Sequence, residues 1–99
     1  MNIEQIKSNV KNICPKYGVK SLNLFGSVAR GDYRETSDMD FLVEFDDAEP
    51  KDYSKRFFGL LHSLEDIFQC NIDMLTVRSI RKKTLRNKIE KDRICLYER

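Results

Sequence analysis

Apolar residues at the start of the chain recur every three or four positions, at Ile3, Ile6, Val10 and Ile13, and Asn2 followed by Gln5 has the form of a capping box. This pattern predicts an amphipathic helix, closed by Pro15 and Gly18. From Ser21 to Phe25 the period changes to two, with Leu22 and Leu24 on one face, as in a strand. Gly26-Ser27 breaks that pattern ahead of a short helical turn at Val28, Ala29 and Arg30. Asp40 to Phe45 is rich in β-formers and predicts a second strand, closed by an acidic turn from Asp46 to Pro50.

Between Asp52 and Phe68 the positions Phe57, Leu60, Leu61, Leu64, Ile67 and Phe68 form a helical stripe, which must cover one face of the sheet. Asn71 to Val77 predicts a third strand, with Ile72, Met74 and Thr76 on one side and Asp73, Leu75 and Val77 on the other. A basic helix from Ser79 to about Glu90 and a short last strand from Ile94 to Tyr97 complete the chain. The fold class is α/β (α+β), a mixed sheet flanked by helices, in one domain spanning residues 1–99.

Composition narrows this picture. Ninety-nine residues suffice for one core but not for a separate substrate domain, so an acceptor has to be held largely by something else. With 40% apolar and 34% charged residues the chain is expected to fold rather than stay disordered. A net charge of +2 argues for neither a nucleic-acid nor a membrane partner. No apolar run approaches the roughly 20 residues of a membrane span, which points to the cytoplasm. Cys14, Cys70 and Cys95 are an odd, widely spaced set that suggests neither a disulfide framework nor a zinc site, and they read as reduced core thiols.

The candidate chemistry lies in an ordered series: a strand running into Gly26-Ser27, then Asp38-Met39-Asp40 entering a strand, then Asp73 inside another. Side chains two apart on a strand face the same way, so Asp38 and Asp40 can present two carboxylates together, and Asp73 joins them if its strand lies alongside. Three convergent carboxylates need a cation, and an all-oxygen set selects a hard ion such as Mg²⁺. Two such ions about 4 Å apart can activate an attacking hydroxyl and stabilise a leaving group at phosphorus. Gly26 lets the backbone approach a phosphate, Ser27 offers a hydroxyl and an amide, and Arg30 adds positive charge.

The run Phe25-Gly-Ser-Val-Ala-Arg-Gly-Asp-Tyr-Arg-Glu-Thr-Ser-Asp-Met-Asp-Phe41 resembles the signature of the polymerase-beta-like nucleotidyltransferase superfamily, and most closely its minimal nucleotidyltransferase branch. The matching elements are Gly26-Ser27, Ala29-Arg30-Gly31 and Ser37-Asp38-Met39-Asp40, with Ile72-Asp73-Met74 as the strand carrying the third Asp. The resemblance covers nearly the whole chain. It implies that Asp38 and Asp40 bind two Mg²⁺ ions, that Asp73 binds one of them and assists deprotonation of the acceptor, and that Gly26 and Ser27 hold the triphosphate of ATP. It further implies a partner, a small helical HEPN-type toxin whose tyrosine receives AMP, and hence an antitoxin working in a hetero-oligomer. Adenylyl transfer to a small molecule, transfer to an RNA end, and a binding module acting by occlusion are the alternatives.

Other residues carry plainer readings. Ser37 caps a turn rather than acting as a nucleophile, since no histidine is near it and the only one, His62, sits half-exposed in the long helix. Asp32, Glu35, Asp46, Asp47 and Glu49 read as solvated loop charges, Tyr33 and Arg34 as exposed loop residues, and Glu44 as a strand residue that could approach a base or sugar. Eight of the eighteen basic residues fall between Arg78 and Arg93, a solvated helix face without the interleaved aromatics of a nucleic-acid surface.

Overall fold

The computed structural model describes residues 2–31, 38–46 and 50–99, the side chains at 50 and 51 excepted. The readings of Ser37, Asp32, Tyr33, Arg34, Glu35, Asp47 and Glu49, and most of the acidic turn, lie outside the described residues. Helix α1 spans Ile3–Lys11 and is opened by the anticipated capping box, in which the Gln5 N–H donates to Asn2 Oδ1 at 2.9 Å and the Asn2 N–H to Gln5 Oε1 at 3.0 Å. It ends before Pro15, which instead starts a single 3-10 turn at Pro15–Tyr17, and Gly18 at φ 68° then redirects the chain.

Strand β1 (Val19–Phe25) runs into the short helix α2 (Gly26–Arg30). Strand β2 (Met39–Phe45) pairs antiparallel with β1, and helix α3 (Pro50–Phe68) crosses over to β3 (Ile72–Thr76), which lies parallel to β2. A parallel pair demands such a crossover. The basic segment does not form the helix expected from Ser79. A 3-10 turn occupies Val77–Ser79, helix α4 runs over Lys83–Asp92, and β4 (Ile94–Glu98) closes the order β3-β2-β1-β4. Lys82 at the α4 N-cap makes no side-chain cap, and the turn is held instead by Thr76 Oγ1 accepting from the Ser79 N–H.

One sheet face carries the main core. Leu22 and Leu24 of β1, Phe41 and Val43 of β2, Met74 of β3 and Leu96 of β4 pack against Ile6 and Val10 of α1 and Leu60, Leu64 and Phe68 of α3. Leu64 is fully buried there. Leu64→Ala is expected to cost about 2–5 kcal/mol, read as a lower urea midpoint at unchanged slope. The other face is smaller and more polar, and α4 covers it by placing Ile89 with Ile80 on Leu42, flanked by Phe25 and Leu75.

Three expectations change. Only Cys14 is a core thiol, its pKa pushed up to about 12 by burial, whereas Cys70 is half-buried and Cys95 exposed. Asp46 is not a free loop charge, since it pairs with Arg99 and its N–H donates to the Gly18 carbonyl at 2.8 Å. His62 is more exposed than expected, 3.1 Å from Glu65 and stacked on Phe58.

Candidate active site

The polar face of the sheet is where the acidic residues meet. Alternation along β2 sends Phe41 and Val43 into the core, and therefore Asp40 to the opposite side. The parallel register sets Asp40 opposite Asp73 on β3, the adjacency that the sequence made conditional on strand pairing. Asp38 lies just before β2, two residues from Asp40. Burial, then the negative charges of Asp73 and Asp38, push the Asp40 carboxyl above its ordinary range, while Arg30 pulls it the other way. Asp73 and Asp38 thus act on Asp40 through space. Among the described residues, no three acidic, histidine or cysteine side chains are gathered tightly enough to enclose an ion.

The β1–α2 turn closes the site from the other side. Phe25 is the register partner of Asp40, so the next residue, Gly26, passes directly over that carboxylate. Gly26 has φ 77°, and a Cβ built there would collide with Asp40 Oδ2 and approach its Cγ to 3.0 Å. Only glycine lets the turn come this close. Donor chemistry and charge in this arrangement fit a hard cation: oxygen ligands, mutual repulsion, and one carboxyl held above its ordinary pKa.

Gly26, Ser27, Arg30 and Asp40 line a cavity of about 320 Å³ together with Phe25 and, from α4, Leu85, Lys88, Ile89 and Asp92. Arg30 Nη1 lies 3.0 Å from Asp92 Oδ2, a contact across 62 residues of sequence. That α4 contributes to this site was not legible in the sequence. Leu85, Lys88, Ile89 and Asp92 do share one helical face, but nothing in the chain states which surface that face meets. Glu44 lies on the same side of the sheet as Asp40 but lines the neighbouring cavities with Ser21, Asn23 and Arg93, away from Gly26. Most of the basic stretch is exposed, as expected, with Arg93 reaching back to donate to the buried Asn23 Oδ1 at 3.3 Å.

Residues 3–96 match the nucleotidyltransferase domain family. The chain belongs to that family. This nucleotidyltransferase is 38% identical over 91 residues to a Methanocaldococcus jannaschii protein provisionally named as a protein adenylyltransferase, covering 92% of the present chain and 90% of the relative. A solved structure titled, again provisionally, as a minimal nucleotidyltransferase is 28% identical, covers 95% of both chains and superposes with a TM-score of 0.69. A chain from the complex of a tri-AMPylated Shewanella oneidensis HEPN toxin with MNT antitoxin shares the fold at a TM-score of 0.68 and 15% identity, covering 99% of this nucleotidyltransferase and 74% of that chain. The resemblance to the minimal branch read from Gly26-Ser27 and Asp38-Met39-Asp40 is therefore borne out, as is the mixed sheet flanked by helices.

Proposed function

We propose that this enzyme, as a single domain working in the cytoplasm, transfers AMP from ATP to a tyrosine of a small helical HEPN-type toxin and so acts as its antitoxin. The observation that carries this reading is the register pairing of Asp40 with Asp73, with the Gly26 backbone close against the Asp40 carboxylate. The adenylyltransferase name of the archaeal relative and the AMPylated toxin in the Shewanella complex support the choice of reaction and partner.

In this reading Asp38, Asp40 and Asp73 would hold Mg²⁺, two ions in the full site, and the metal would supply neutralisation of the triphosphate and polarisation of the α-phosphoryl group. Gly26 and Ser27 hold the phosphate tail through backbone and hydroxyl, and Arg30, oriented by Asp92, adds positive charge at the same cavity. Asp73, exposed at the outer strand, accepts the proton of the acceptor hydroxyl. The acceptor oxygen bonds to the α-phosphorus, the bond from that phosphorus to its bridging oxygen breaks in line, and pyrophosphate leaves.

The test is to incubate the protein with ATP, Mg²⁺ and its helical partner and to weigh the partner intact. Gain of whole adenylyl units, absent with Asp38→Ala plus Asp40→Ala, is the expected result. A tight complex without any mass gain would contradict transfer and leave neutralisation by occlusion.

A further inference from the structure

The cavity beside Gly26 is lined by a second cation besides Arg30. Its charged lining consists of Arg30, Lys88, Asp40 and Asp92. Arg30 and Asp92 are joined at 3.0 Å, and Asp40 belongs to the carboxylate cluster. Lys88 remains. It is exposed and makes no ion pair or hydrogen bond to a described residue, although Asp92 stands one helical turn away on the same face. Its position is not accidental to a loose helix, because the next residue, Ile89, is only 2% exposed and locks α4 onto Leu42 and Ile80. That anchor fixes the faces of α4 and turns Lys88 toward Gly26 and Ser27.

The cavity is also one-sided. Its lining takes in Gly26, Ser27 and Asp40 but neither Asp38 nor Asp73, so it extends from the carboxylate cluster on the side of the phosphate turn. Resting on the nucleotidyltransferase reading, we propose that Lys88 binds the β- and γ-phosphates of the nucleotide and the pyrophosphate derived from them. A compact ammonium on a flexible stem suits a tail whose charge stays in place while its bond to the α-phosphorus breaks. Lys88 is thus a substrate-binding residue supplied by α4.

The experiment measures equilibrium binding of ATP, pyrophosphate and AMP in Mg²⁺ buffer without partner, for the wild type, Lys88→Met and Lys88→Arg. Because Lys88 is exposed, the variants are expected to melt with the wild type, which thermal unfolding checks. Lys88→Met should weaken ATP and pyrophosphate by about tenfold or more, the scale of one charge-assisted hydrogen bond, and leave AMP unchanged. Lys88→Arg should recover most of the loss. Unaltered ATP and pyrophosphate binding by Lys88→Met, or an equal loss for AMP, would overturn the assignment while leaving the transferase reading intact. A wild type that binds no ATP at all would overturn both.

Discussion

Asp40→Asn is expected to lower adenylyl transfer more than about 100-fold, as for loss of a metal-binding carboxylate, and at the same time to raise the melting temperature of the metal-free protein by a few degrees. Both effects have one cause. Asp40 is half-buried, and that burial, then the charges of Asp73 and Asp38, raise its pKa against the pull of Arg30. A carboxyl whose folded pKa is raised contributes stability that is fully present below its ordinary range, near about 3.9, and lost as pH rises through the higher folded value. At pH 7 the ionised side chain therefore opposes folding, and a neutral amide of the same shape removes that opposition. The melting-temperature advantage of Asp40→Asn in EDTA should vanish near pH 3 and grow toward neutrality. Adding Mg²⁺ should stabilise the wild type and do little for the variant. A variant less stable than the wild type at pH 7 in EDTA would show that Asp40 is a structural residue.

The second large effect is expected at Gly26. Gly26→Ala places a methyl group against the Asp40 carboxylate in a backbone conformation, φ 77°, that alanine rarely adopts. The chain can respond by straining the turn, at about 1–3 kcal/mol, or by moving Phe25 and Ser27 away from Asp40. Either response separates the phosphate turn from the carboxylates. Loss of at least about 1 kcal/mol of stability in denaturant should accompany loss of ATP binding. Gly31 makes a useful control, because it too has a positive φ, 83°, but a Cβ there meets none of the described residues within 4 Å. Gly31→Ala should share the backbone strain and keep ATP affinity. Equal loss of binding in both variants would mean that strain in α2, not contact with Asp40, sets the affinity.

What the sequence revealed follows from where the physics is local. The capping box of α1, the alternation of β1 and β2 and the stripe of α3 are all properties of neighbours within a few residues, and each element formed close to its expected place. Asp40 and Asp73 could be brought together because the carboxylates sit at like positions in two strands, and only the pairing had to be supplied. The end of α1 was misplaced because Pro15 is as well suited to starting a 3-10 turn as to ending a helix. The α4 boundaries shifted because a run dominated by Arg and Lys has little apolar periodicity to mark a start, and Lys82 provides no cap. Asp92 and Lys88 were illegible as site residues for a different reason. Their relation to Arg30 and Gly26 exists only once Ile89 has docked on Leu42, an interaction between distant parts of the chain.

The most direct test of the central claim, attack at the α-phosphorus from a centre built by Asp38, Asp40 and Asp73, is to follow two labels. ATP labelled at the α-phosphorus, or separately at the γ-phosphorus, is incubated with the protein, Mg²⁺ and the helical partner. The account predicts α-label on the partner, γ-label released as pyrophosphate in equal amount, and neither event with Asp38→Ala plus Asp40→Ala. Transfer of γ-label to the partner, or α-label transfer that survives loss of both carboxylates, would contradict it.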